Sequence, residues 1–193
     1  MCKEGEQLEN YTKYKLKSDD ELKALLTDKD NLFVIACNKC FKEFETVDEP
    51  DCGEFEKIAA EEGKTITGSA KVDFLCNKTE NVIVISCGLG IQTVADLAGK
   101  PVFAASNSLN YRGHHGMALT KKSCDACAQC YLNITGGICP IVDCSKSLVN
   151  GQCGGAKNGK CEVDSNKDCA WEKIYYSLEK QGRLEEFLNQ PVQ

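Results

Sequence analysis

The sequence predicts an α/β protein: a small parallel-sheet domain over residues 1–122, then an irregular cysteine-rich region with a C-terminal amphipathic helix over residues 123–193. Three observations predict it. Short, continuous apolar runs such as Asn31-Leu32-Phe33-Val34-Ile35-Ala36 and Val82-Ile83-Val84-Ile85 have the length and branching of strands buried on both faces. Segments of helical spacing alternate with them, the order that builds a parallel sheet. From about Ser123 onward apolar runs vanish, cysteine and glycine become dense, and something other than hydrophobic burial must staple the chain.

Taken in order, Ser18-Asp19-Asp20-Glu21 has capping-box spacing, and Leu22, Leu25 and Leu26 follow at helical intervals. The strand Asn31–Ala36 comes next. A second helix is expected over about 54–62, rich in Glu, Lys and Ala and closed by Gly63. Lys71-Val72-Asp73-Phe74-Leu75 reads as a strand leading into Cys76. The clearest βαβ unit follows: Val82–Ile85, a glycine-containing turn, the helix Ile91–Ala98 and the strand Pro101–Ala105. Ser106–Lys122 reads as a connector between the two parts. Near the end, Trp171, Ile174, Tyr175, Leu178, Phe187 and Leu188 form one apolar stripe on a helix from Trp171 to Leu188, suited to packing on the body of the protein or to a partner.

Composition narrows the functional classes. The chain has 193 residues, a net charge of −6 and 42% hydrophobic content, that of an ordinary globular protein. Its basic residues are scattered, so no nucleic-acid partner is expected. No apolar run reaches the roughly 18 residues of a membrane span, and Met1-Cys2-Lys3-Glu4-Gly5-Glu6 lacks the apolar stretch of a secretory signal. A cytoplasmic location is expected, and in a reducing cytosol so dense a set of cysteines, 14 in all, is expected to serve metal binding rather than seven disulfides.

The cysteines fall into two sets. Cys37 and Cys40 follow the first strand, Cys76 follows Phe74-Leu75, and Cys87 follows Ile85-Ser86. Parallel strands bring their carboxyl ends to one sheet edge, where open α/β folds place ligands; Cys52 is a spare. In the second set, Cys124, Cys127 and Cys130 form a C-x2-C-x2-C run, followed by Cys139-Pro140. Three thiolates at two-residue gaps can wrap three corners of a cubane, as in bacterial ferredoxins, although eight residues separate Cys130 from Cys139 where ferredoxins have three. Cys144, Cys153, Cys161 and Cys169 follow at wide intervals. Two or more [4Fe-4S] clusters fit this supply, and so does zinc, which also accepts four thiolates. Lys121, Lys122, Lys146, Lys157 and Lys160 are candidate flanking cations.

Other motifs carry less. Gly88-Leu89-Gly90 begins like a dinucleotide loop, but Thr93 stands where the third glycine belongs. His114-His115 reads as loop. No Ser/His/Asp set or carboxylate pair has a catalytic setting, so no catalytic residue is assigned.

The run Cys124–Cys130, Thr135-Gly136-Gly137-Ile138-Cys139-Pro140, Cys144-Ser145-Lys146, Asn150-Gly151-Gln152-Cys153-Gly154-Gly155, Gly159-Lys160-Cys161-Glu162-Val163 and Cys169-Ala170-Trp171 resembles the cysteine-rich C-terminal domain associated with methylenetetrahydrofolate reductase. Cys37-x2-Cys40, Leu75-Cys76-Asn77 and Ser86-Cys87-Gly88-Leu89-Gly90-Ile91-Gln92 resemble the small subunit carrying that domain in acetogenic bacteria. The likeness covers about 150 of the 193 residues. It departs at Gln152, where proline is expected, and in the short stretch from Cys76 to Val82. The resemblance implies a non-flavin subunit that binds [4Fe-4S] clusters or zinc. Its partners would be an FMN-containing TIM-barrel reductase of the Wood–Ljungdahl pathway and a further electron-donor protein. Electron transfer to the barrel's FMN is the expected function, and a structural zinc adaptor the alternative.

Overall fold

The structure, a computed structural model, describes residues 13–36, 52–70, 81–110 and 122–189. Helix α1 (Asp19–Leu26) begins with the expected capping box: the Ser18 hydroxyl accepts from the Glu21 amide, and the Glu21 carboxylate accepts from the Ser18 amide. Strand β2 (Asn31–Ala36) lies at the centre of a parallel sheet with β3 (Thr65–Ala70), β4 (Asn81–Ile85) and β5 (Val102–Ala104), in the order β3-β2-β4-β5.

Both faces of this sheet are covered, which is why β2 and β4 are continuous apolar runs rather than alternating ones. On one face, Leu22 and Leu26 of α1 and Phe55 and Ile58 of α2 (Cys52–Glu61) bury Leu32, Val34, Ile83 and Ile85. On the other, Ile91 of α3 (Gly88–Ala98) and Leu132 bury Phe33, Ile35, Val82 and Val84. Leu132 belongs to a single 3-10 turn, Tyr131–Asn133, so the cysteine-rich half completes the core of the sheet.

Three elements differ from the sequence expectation. Ser106–Asn110, read as connector, is strand β6, antiparallel to β1 (Lys13–Leu16) in a second, two-stranded sheet. Strand β3 precedes the segment 71–75 that was read as a strand; that segment lies outside the described residues. After the short helix α4 (Pro140–Asp143), the C-terminal helix is two helices, α5 (Ala170–Lys180) and α6 (Leu184–Leu188), separated where Gly182 takes φ +68°. Its apolar stripe divides accordingly. Trp171, Ile174 and Leu178 are buried, Phe187 packs on Trp171 at 5.5 Å between ring centroids, and Tyr175 and Leu188 are exposed.

Among the contacts that fasten the halves, two lie at α3 and β5. Gly137, at φ +87°, lies so close to α3 that a Cβ there would meet the Cβ of Ala95 at 2.6 Å. The side-chain amide of Asn133 accepts from the Ala104 amide and donates to the Ala104 carbonyl, closing the edge of β5. Among the described residues no helix is long and apolar enough to cross a membrane.

Candidate metal centres

The chain from Ser123 to Cys130 passes over the start of α3. Gly88, the first residue of that helix, comes close enough to Cys124 that a Cβ would stand 2.7 Å from its Sγ. Between the cysteines, Ala126 and Ala128 adopt φ +49° and +59°, left-handed conformations that cost an alanine about 1–2 kcal/mol each. Such strain persists where surrounding structure imposes it, and it gathers at functional sites. Here it turns the backbone so that Cys124, Cys127, Cys130 and Cys139 border one pocket, together with Gly88, Gln92 and Ser108.

Polar groups of the sheet edge brace this first group. The Gly88 amide donates to Ser108 Oγ at 2.7 Å, and Gln92 Nε2 donates to the carbonyls of Gly88 and Ser123. The Cys130 amide and Lys17 Nζ both donate to Asn107 Oδ1, at 3.1 and 2.8 Å. Burial pushes the Cys130 thiol up to about 11 and raises Cys139 as well, and the facing thiols add to both shifts. Four thiolates held together here therefore call for compensating positive charge.

A second group lies below α5. Cys144, Cys153, Cys161 and Cys169 border another pocket with Lys146 and Trp171. Turns make it. Asn158 (φ +51°) and Gly159 (φ +78°) form the two-residue loop of a tight hairpin whose ends, Lys157 and Lys160, exchange both backbone hydrogen bonds. Two positive φ values in succession are what such a loop requires, and Asn-Gly supplies them at least cost. The Cys169 amide then donates to the Gly159 carbonyl at 2.7 Å, and the Cys161 amide to Lys167 at 2.8 Å. The Ser145 hydroxyl lies 3.6 Å from Cys161 Sγ; donating to the thiolate, it lowers that thiol's pKa. Around the group run surface ion pairs. Asp168 receives Lys160 and Lys173 at 2.6 and 3.0 Å, and the Lys160 hydrogen bond leads in holding its carboxyl at about 2. Lys146 pairs with Glu162.

Among the described residues, no three Cys, His, Asp or Glu side chains converge closely enough to hold a single metal ion. In each group the four cysteines line a shared pocket. Of the sheet-edge set, Cys37, Cys40 and Cys76 lie outside the described residues, as do His114 and His115. Cys87 stands at the carboxyl end of β4, as the cap of α3. The first four-cysteine group also sits at this edge, because Gly88 and Ser108 help to line its pocket. Sequence reasoning missed Lys17, Asn107 and Ser108. Their only signal is the polar run Ser106-Asn107-Ser108, which the structure buries completely enough to leave each residue less than a tenth exposed.

Residues 103–193 match the family model described as methylene-tetrahydrofolate reductase C terminal. The matched segment begins within β5 and contains both four-cysteine groups. No curated protein and no solved structure matches the chain.

Proposed function

We propose that this chain, whose residues 103–193 match the family model described as methylene-tetrahydrofolate reductase C terminal, is the iron–sulfur electron-transfer subunit of a methylenetetrahydrofolate reductase complex. Electrons pass through it from a donor protein to the FMN of a TIM-barrel catalytic partner. One observation carries the reading: eight thiols divide into two groups of four, each bordering its own pocket. Four thiolates are the ligand complement of one [4Fe-4S] cluster.

The donor set fits that cofactor. Soft thiolates are what iron–sulfur clusters select, and the glycine at the start of α3 leaves room beside Cys124. A tetrahedral zinc, with Zn–S of about 2.3 Å, also takes four thiolates, and the metal and sulfide content distinguishes the two. Cys124, Cys127, Cys130 and Cys139 would hold one cluster, and Cys144, Cys153, Cys161 and Cys169 a second. Cys37, Cys40, Cys76 and Cys87 remain the candidate ligands of a further site at the sheet edge. When bound, a cluster supplies reversible one-electron storage. The chain's own residues position the thiolates, set Cys130 and Cys139 of the first group against the sheet core and surround the second with lysines.

The test is iron, zinc and acid-labile sulfide per chain, measured on protein purified without oxygen. Iron near eight with matching sulfide is expected from the two described groups (about four of each per cluster), rising toward twelve if the sheet-edge set is also filled. Zinc without sulfide would reject the relay and leave a structural adaptor, whose role is then read by partner binding alone.

A further inference from the structure

Among the described residues, Lys17 is a buried cation, only 8% exposed, as is Arg183 at 9%. It stands at the end of β1, far in sequence from the cysteines, yet it shares an acceptor with one of them: Asn107 Oδ1 receives both Lys17 Nζ at 2.8 Å and the Cys130 amide at 3.1 Å. The amide oxygen thus holds the ammonium against the backbone of a thiol ligand. Its nearest carboxylate is Glu21, at 3.4 Å; the Glu21 side chain is 51% exposed, so solvent screens that partner more than it screens the buried ammonium. The lysines around the second group are of another kind, since Lys146, Lys160 and Lys173 are all at the surface and paired with carboxylates.

We propose that Lys17, placed by Asn107, is the buried counter-charge that raises the reduction potential of the Cys124–Cys127–Cys130–Cys139 site. The inference rests on the cluster reading given above. Accepting one electron from an external donor adds one negative charge to that site and transfers no proton or ligand. A fixed cation nearby favours the reduced form over the oxidised one, and in a buried setting the interaction is little weakened by solvent. Lys17 is a positioning and electrostatic residue here, not a ligand.

The experiment is a dithionite titration of the full chain followed by electron paramagnetic resonance, on wild type, Lys17→Met and Lys17→Gln, with iron and sulfide measured on every sample. Removing the charge is expected to lower one midpoint by about 59 mV, a tenfold shift in a one-electron equilibrium, and to leave the other midpoint in place. Lys17→Gln keeps a donor for Asn107, so it reports the charge alone if the methionine variant folds poorly. Full iron and sulfide with both midpoints unmoved in Lys17→Gln would overturn the role of Lys17 and leave the cluster reading standing. Wild-type protein without iron and sulfide would overturn both.

Discussion

The Cys124–Cys139 group rests on the core of the parallel sheet, whereas the Cys144–Cys169 group is held by tight turns and surface ion pairs. In the first, Cys130 and Cys139 pack against the same cluster as Phe33, Val84 and Ile91. In the second, Cys169 and Cys144 pack on the smaller cluster of Trp171, Ile174 and Leu178, and the chain between the cysteines is largely exposed. The difference teaches what each site asks of its occupant. A site built on a formed core needs its ligands turned inward at a local cost, visible at Ala126 and Ala128. A site whose connecting chain is exposed turns rests on a smaller cluster, so the ligands themselves must organise more of the chain.

The strongest way to break this contrast is to remove one exposed thiol from each group. Cys127→Ala and Cys153→Ala should each lose about four irons per chain, measured by metal analysis. The two should also differ in far-UV circular dichroism. The first keeps its sheet, while the second loses order between Cys144 and Cys169. Full iron in either variant would strike that cysteine from the ligand set.

Alkylation of the metal-free protein at pH 8, read by mass spectrometry, sharpens the contrast further. Only the thiolate reacts. Cys161 has a lowered pKa because Ser145 hydrogen-bonds to it, and it should label early. Cys130, pushed to about 11 by burial, has a thiolate fraction about a hundredfold below that of an ordinary thiol and should label last. Its protection should fade as pH rises toward 11. Equal rates would mean that the first group is open in the metal-free state.

Smaller effects probe the join between the halves. Asn133→Ala removes two hydrogen bonds to Ala104 and should cost about 1–3 kcal/mol in urea unfolding. Ala128→Gly should do the opposite, since glycine accepts positive φ; a gain of about 1 kcal/mol is expected. A loss there would show that the left-handed turn is not strained.

Which parts of the molecule the sequence revealed follows from these forces. Strands β2 and β4 were legible because burial on both faces leaves only apolar residues. The box at Ser18 was legible because it is local. Strand β6 was not, because its buried residues are polar and are satisfied by distant partners: Ser106 Oγ donates to the Ser86 carbonyl at 2.6 Å and accepts from the Ser86 amide at 2.9 Å. The C-x2-C-x2-C run announced the first group, but not its fourth member. The long gap from Cys130 to Cys139 departs from ferredoxin spacing because it carries Leu132 into the core and Asn133 to the edge of β5. The second group was open in sequence because its closure depends on a hairpin at Asn158-Gly159 that brings Cys169 back to Gly159.

Asn133 has one more consequence. Strand β5 is the last strand of its sheet, and an uncovered edge invites a strand from another molecule. The side-chain amide of Asn133 occupies both hydrogen-bonding groups of Ala104 at that edge, and it sits between two cysteines of one pocket. Whatever ties Cys130 to Cys139 therefore also holds the cap on the β5 edge of the sheet.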